Sequence, residues 1–416
     1  MKHFFALFLF FGGWGLCAAQ SPPDHALTLA EATSILRQQS PVLIAARAHS
    51  EAVRANEITA GLRPNPLFSS ANEDFNVFNP SKLDPVNAQE YTENISQLIE
   101  LGHKRQYRSQ SAKLGTLVAQ DTYRDLERQV VLQLRQAFVG MLLAKSNLEL
   151  AEDNLKDYKE TVRLNEIRYQ AGDISGTDFS RIKLQQSRFE SDLLNAQLAL
   201  NQARTQVQQL LGYTVFRPDF DIAGELDAKP IAADLANLQR IALANRPDYL
   251  AALDSVRKAQ ADVNLAAAQG VTDLTLGGEY KRNGPDNTLG VTFQLPLRIF
   301  DRNQGEKLRT SRELDASRAA ELAAKAQVLS DVDQAYQGYQ SASARVELYE
   351  TDYLQRAKDV RDRLAFSYRN GGASLLDYLD AVRDYRDTEL AWRSADAQLL
   401  NAIYQLSFVT GSEIQP

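Results

Sequence analysis

The feature that most constrains this chain is a duplication. Residues 169–178 read Tyr-Gln-Ala-Gly-Asp-Ile-Ser-Gly-Thr-Asp, and residues 368–377 read Tyr-Arg-Asn-Gly-Gly-Ala-Ser-Leu-Leu-Asp. Both follow the pattern Y-x-x-G-x-x-S-x-x-D, one copy 199 positions after the other. At the same offset Ala196 matches Ala395, Leu200 matches Leu399, Ala203 matches Ala402, Gln206 matches Gln405 and Gly212 matches Gly411. One register held over such a span points to two copies of one folding unit.

Each copy sets a long heptad-patterned segment before the motif and a second one after it. In the first copy Val130, Leu134, Ala137, Met141, Ala144, Leu148, Ala151, Leu155, Tyr158 and Val162 keep strict 4,3 spacing, the 3.5-residue period of a coiled-coil seam. After the motif, Phe179, Ile182, Phe189, Leu193, Ala196, Leu200, Ala203, Val207 and Leu210 continue it, with Gln186 the one interruption. The second copy repeats the pattern from Val328 through Val332, Ala335, Tyr339, Ala342, Val346, Tyr349 and Tyr353. There an extra residue moves the seam to Ala357, Val360 and Leu364. Tyr378, Ala381, Tyr385, Thr388, Trp392, Ala395, Leu399, Ala402, Leu406 and Val409 follow in the last segment. Periodicity alone leaves an ordinary helical bundle open.

Length argues for something longer. Only 21 glycines and 13 prolines punctuate 416 residues, so the elements are long. The spacing predicts a helix from His103 to Ala171, about 100 Å at 1.5 Å per residue. Two shorter helices, Thr28–Leu62 and Gly176–Leu211, together match it if stacked end to end. The second copy offers Asp234–Gln269 and Leu375–Thr410 against Asn303–Asn370.

Between the first short helix and the long one, each copy breaks helical pattern. Arg63-Pro64-Asn65-Pro66 stops the helix, because proline lacks an N–H and disfavours helix in the residue before it. Strands are expected near residues 65–75 and 91–101, separated by a loop with Pro80 and Pro85, and near 273–282 and 288–297. In the later pair Leu274, Leu276, Gly278 and Tyr280, then Leu289, Val291, Phe293 and Leu295, alternate with polar or small residues. Such alternation over about ten residues fits a membrane β-strand. Ser69, Ala71 and Glu93 blur it in the earlier pair, where a soluble hairpin stays open. Four strands do not close a barrel, and lipid does not tolerate an open edge, so closure needs several copies.

Met1–Ala19 reads as a secretory signal, with Lys2, an apolar run from Phe4 to Phe11, and Cys17-Ala18-Ala19 before the cut. Lipidation of Cys17 is the competing reading, disfavoured by bulky Leu16. The expected order is therefore signal 1–19, first repeat 20–215, linker 216–233 and second repeat 234–416. One cysteine and four histidines supply no zinc cluster or disulfide framework. A net charge of -7 without a basic stripe argues against a nucleic-acid partner. No nucleophile–base pair or phosphate-binding glycine loop supports an enzyme, and no cofactor or metal site is expected.

The duplicated helix-strand-strand-helix-helix plan, the paired turns and the run Leu295-Pro296-Leu297-Arg298-Ile299-Phe300-Asp301-Arg302-Asn303-Gln304-Gly305 resemble the TolC-type outer-membrane efflux proteins. The Leu-Pro-Leu and Phe-Asp-Arg-Asn-Gln-Gly pieces are similar to the branch serving heavy-metal and related RND pumps (CzcC-like and CusC-like). The resemblance spans nearly the whole mature chain. It implies a mainly α protein with a membrane β-barrel: a homotrimer whose twelve strands form a pore in outer-membrane lipid and whose helices continue it as a long periplasmic barrel. It also implies two partners, a periplasmic adaptor (membrane fusion protein) and an inner-membrane RND transporter, and a passive duct for metal cations or small toxic compounds. Two methionines, one of them Met1, speak against a Met-rich relay for copper or silver. The alternative class is a periplasmic adaptor or a structural coiled-coil protein. An adaptor would show one helical hairpin between halves of a lipoyl-like β-domain; here there are two hairpins and no such domain.

The turns have a local explanation and a functional one. Gly172 and Gly371 suit helix ends. Ser175 and Ser374, with Asp178 and Asp377 three residues on, suit the caps of the next helices. The resemblance adds that these tips, Gly172, Asp173, Ile174, Ser175 and Asp178 with Gly371, Gly372, Ala373, Ser374 and Leu375, meet the adaptor, with Asp173, Ile174, Ala373 and Leu375 exposed for it. It also maps Asp377 and Asp380 onto paired aspartates ringing a periplasmic constriction, and Tyr368 onto the same gate. Helix-start aspartates are equally explained by the macrodipole. A gate arginine of some relatives falls on Ala373, and Arg181 stands where the second copy has Asp380.

Overall fold

A computed structural model describes residues 26–74, 89–214 and 216–414. The signal segment, Phe75 at the end of the first expected strand, and the loop with Pro80 and Pro85 lie outside the described residues. The chain runs α1 (Leu29–Gln39), α2 (Pro41–Gly61), β1 (Leu67–Glu73), β2 (Glu90–Ile99), α3 (Lys104–Gln170), α4 (Gly176–Gly212), α5 (Leu235–Asn245), α6 (Pro247–Gln269), β3 (Leu274–Asn283), β4 (Asp286–Gln294) and α7 (Gln304–Leu348). A π-helical turn at Tyr349–Tyr353 leads into α8 (Leu354–Arg369), and α9 (Leu375–Thr410) ends the order. Among the described residues no helix is long and apolar enough to cross a membrane.

Three expected single helices are divided. Thr28–Leu62 is α1 and α2, and Asp234–Gln269 is α5 and α6. At each break an extended residue, Ser40 (ψ 118°) or Arg246 (ψ 119°), precedes a proline, as the clash with the proline ring demands. The third, Asn303–Asn370, is interrupted by the π-helical turn. It falls where the heptad seam gains its extra residue, and one π turn absorbs one residue without ending the helix.

The four strands form one antiparallel sheet in the order β1-β2-β3-β4. Its register aligns Phe68 with Ile95, Ile95 with Gly278 and Gly278 with Val291. Because side chains alternate along a strand, one face gathers Phe68, Ile95, Ile99, Leu274, Leu276, Tyr280, Leu289, Val291 and Phe293. The other gathers Ser69, Thr92, Asn94, Ser96, Thr275, Glu279, Lys281, Thr288 and Thr292. The apolar face is open: Leu289 is 87% exposed and Phe293 73%. On the polar face a Cβ added at Gly277 would collide with Thr292 and crowd Asn94 and Ser96, whereas neighbouring Gly278 has free space.

The described chain forms two compact units, each built from segments of both sequence repeats. One takes the described residues of 26–40, 133–227 and 352–397, the other those of 41–132, 228–351 and 398–414. In the first, the linker joins α1 through a parallel bridge between Leu27 and Ile222, and Lys145 pairs with Asp221 at 2.6 Å. In the second, buried Arg246 lies between Asp248 (2.6 Å) and Asp331 (2.8 Å), fastening the start of α6 to α7. The heptad positions Val328, Val332, Ala335, Tyr339, Ala342 and Val346 are all buried.

The end of the sheet that meets the helices is fastened by charge. Lys104 pairs with Asp273 at 2.7 Å and donates to the Val271 carbonyl. Arg108 pairs with Glu100 and donates to the carbonyls of Ala60 and Leu62, two of the unpaired acceptors at the end of α2. His103 and Asn303 both enter α3 and α7 from φ 62°, a second echo of the duplication.

Candidate functional site: the paired hairpin tips

Both tips are built by the same local chemistry. At the end of α3 Gly172 (φ 83°) donates to the Tyr169 carbonyl at 3.0 Å and Asp173 to the Arg168 carbonyl at 2.8 Å. At the end of α8 Gly371 (φ 74°) donates to Tyr368 at 3.2 Å and Gly372 to Ser367 at 2.8 Å. Each is a Schellman closure, which needs a left-handed residue at the glycine. A Cβ at either glycine would meet nothing within 4 Å, so backbone conformation alone requires glycine there.

The next helices start on the serines. Ser175 Oγ accepts from the Asp178 N–H at 3.0 Å, and its hydroxyl donates to the Asp178 carboxylate. Ser374 Oγ accepts from the Asp377 N–H at 3.2 Å while the Asp377 carboxylate accepts from both the Ser374 N–H and hydroxyl. The second tip is thus a complete capping box with aspartate in place of glutamate.

The motif holds one further feature that its local pattern does not explain. The tyrosine that opens each copy stacks on an aromatic residue ten positions later: Tyr169 on Phe179 (5.1 Å, 8°) and Tyr368 on Tyr378 (5.2 Å, 3°). Phe179 and Tyr378 occupy equivalent positions of the duplication, so the pattern was present in the sequence. Its meaning lay in the fold, which brings the two helix ends together.

Tyr368 also reaches into the other hairpin. Its hydroxyl donates to Asn165 Oδ1 at 2.7 Å, and buried Asn165 donates onward to the Thr161 carbonyl. Thr161 shares a 3.2 Å hydrogen bond with the Tyr378 hydroxyl, and the Arg168 guanidinium lies 5.5 Å from the Tyr368 ring. Burial is the main cause pushing the Tyr368 phenol above its ordinary range, with Asp178 and Tyr378 adding to it and Arg168 opposing. Below this network Leu155, Tyr158, Val162, Ile182 and Phe189 form a buried cluster.

Three tip residues depart from the expected exposure. Ile174 and Leu375, expected as exposed tip residues, are partly buried and pack against that cluster. Ala373 is likewise half-buried. Within the second turn the apolar side chain open to solvent is Leu376, 65% exposed, a motif residue one position past those expected at the tip. Gly172, Asp173, Ser175, Gly371, Gly372 and Ser374 are exposed. Of the expected gate residues, Asp377 serves the cap, Asp380 pairs with Arg383 at 3.3 Å with both half exposed, and Tyr368 belongs to the network.

Duplicated helical hairpins, together with a small antiparallel sheet whose apolar face is open, define a protein of the outer-membrane channel class. The chain belongs to the outer membrane efflux protein family, whose model matches residues 33–213 and 238–412, one stretch in each repeat. It is 25% identical over 388 residues to the cobalt-zinc-cadmium resistance protein CzcC of Cupriavidus metallidurans, covering 92% of this chain and 90% of that one. Its fold is similar to that of the outer-membrane channel OprN (TM-score 0.77, 19% identity, 92% of this chain and 90% of that one). It is equally similar to that of CusC (TM-score 0.77, 18% identity, 92% of each). The protein is accordingly an outer-membrane efflux channel with a long periplasmic helical portion, and a conduit without enzymatic chemistry. The adaptor alternative finds no support in the family or the fold.

Proposed function

We propose that three copies of the chain assemble into the exit duct of a tripartite RND-type efflux system. The observation that carries this reading is the four-stranded sheet, with an apolar face exposed and its edge strands β1 and β4 without an outer neighbour among the described residues. Three such sheets joined edge to edge give twelve strands, the apolar faces toward lipid and the polar faces toward water. Helix α8, which has no buried residue of its own, would then pack within the assembled helical wall. The likeness to a cobalt-zinc-cadmium resistance protein supports metal cations as cargo, with small toxic compounds the wider class.

The hairpin tips would receive the periplasmic adaptor, with Asp173 and Leu376 among the groups presented to it. At the mouth, threefold symmetry would bring six carboxylates together from Asp377 and Asp380. Like charges crowded in a narrow opening favour cations and a bridging divalent ion. The test is conductance in planar bilayers, comparing the unaltered protein with the Asp377→Asn, Asp380→Asn double variant. Asparagine retains an acceptor for the cap, so the comparison removes charge while keeping the turn. The expected result is a cation-selective channel blocked by divalent ions, with both properties reduced in the variant. An assembled protein that conducts nothing would overturn the duct, and unchanged selectivity and block would return the aspartates to capping alone.

A further inference from the structure

We infer that the helix-side end of the sheet binds anionic phospholipid in the periplasmic leaflet. This goes beyond the duct reading, since it concerns the outer wall of the protein, and it rests on that reading for the lipid-facing assignment of the apolar sheet face. The antiparallel register brings the start of β1, the end of β2, the start of β3 and the end of β4 to one end. Helices α2, α3, α6 and α7 join the sheet there, which makes it the periplasmic end.

Beyond β4 the chain continues as Leu295-Pro296-Leu297-Arg298-Ile299-Phe300 without forming a further strand. Leu295 and Leu297 extend the alternation that places Leu289, Val291 and Phe293 on the apolar face. Leu297 is 77% exposed and Phe300 91%. Among the described residues nothing covers these side chains, and continuity with the lipid-facing surface identifies lipid as the occupant.

The charges at this end select the headgroup. Arg63, Arg105, Arg302 and Lys307 are exposed, and none of the four forms an ion pair among the described residues. Arg298 also leaves its Nε without a hydrogen-bond partner. The nearby acids are committed elsewhere: Glu100 to Arg108, Asp273 to Lys104, Glu306 to Arg309, and Asp301 to the Asn303 N–H. The opposite end of the sheet carries Glu73, Asp74, Glu90 and Asp286 against Lys281 and Arg282. An uncompensated cluster of cations beside exposed apolar side chains suits acyl chains with anionic headgroups, as basic residues flanking a membrane segment do.

Native mass spectrometry of the detergent-purified protein tests the inference, using dioleoyl phosphatidylglycerol and dioleoyl phosphatidylcholine as probes in equal amount. Preferential retention of phosphatidylglycerol is expected. The preference should fall roughly fivefold for each charge removed in Arg302→Gln and in Arg63→Gln, the scale of one basic residue at an anionic surface. Arg282→Gln, at the other end of the sheet, should leave it unchanged. Phe300→Ser should lower retention of both lipids. Equal retention of the two lipids by the unaltered protein would overturn the inference, as would an Arg282→Gln effect matching that of Arg302→Gln. Because single exposed arginines are replaced, assembly is preserved, and bilayer conductance of the same samples reports separately on the duct.

Discussion

Tyr158 shows how a seam residue becomes more than packing. The heptad pattern marks it as one apolar position among ten, and the structure buries it, stacks it on Phe189 at 4.6 Å and lets its hydroxyl donate to the Ile182 carbonyl at 3.0 Å. Burial is the main cause holding its phenol above the ordinary value, and Tyr378 and Tyr368 reinforce it. Since the folded state then keeps the proton that the unfolded state releases, stability from this group is fully present below about pH 10 and declines as pH rises beyond it. Tyr158→Phe removes the hydrogen bond and should cost about 1 kcal/mol near neutrality. It also removes the alkaline penalty, so the Tm gap between the two proteins should narrow from about pH 8 to about pH 11. A gap that widens would contradict the sign. At this scale the sequence was informative about residue type and poor about partners. Gly172, Gly371, Ser175 and Ser374 were legible because their roles are local. The Tyr368–Asn165 bond joins residues 203 positions apart; Leu375 is covered by side chains of the other hairpin and Ile174 by the packing of α3 on α4, neither of which a local pattern encodes.

Elements were legible where one periodicity ran unbroken and blurred where local backbone chemistry cut across it. Pro41 and Pro247 sit inside apolar patterns that otherwise read as single helices. The interruption is a steric effect on the preceding residue that periodicity does not register. The π-helical turn at Tyr349–Tyr353 is the reverse case, for the shift of the seam announced an extra residue although not the form it would take. The first repeat has no such turn, and α3 runs continuously through the equivalent positions around Leu150–Asn154. A π turn has wider hydrogen-bonded rings, and this one contains no buried residue, so it should open more readily than the matching stretch of α3. Amide hydrogen exchange across residues 349–354 is expected to be about tenfold or more faster than across residues 150–155. Equal protection in the two stretches would deny the turn any mechanical distinction. The strands divide the same way: alternation marked β3 and β4 clearly, whereas Ser70, Glu93 and Gln97 fall on the apolar face of β1 and β2 and weaken the signal there.

For the molecule as a whole, no periodicity states how many copies are needed; the number follows from what the single chain leaves unpaired. Strands β1 and β4 each have one neighbour among the described residues, so their outer edges present backbone donors and acceptors. In a hydrocarbon layer each unsatisfied group costs several kcal/mol, which makes an isolated membrane-inserted sheet far less stable than a closed one. The proposed trimer removes every edge at once, and folding of the sheet and association of the chains then become one equilibrium. Two consequences can be measured together. Light scattering of the solubilised protein, corrected for detergent, should give about three times the mass of one chain. On denaturant titration the trimer and the protease resistance of β1–β4 should disappear at a common midpoint, and that midpoint should rise with protein concentration. A monomer that keeps its strands protected, or two separate transitions independent of concentration, would mean that the sheet is stable with its edges open and would remove the physical reason for closing it with three copies.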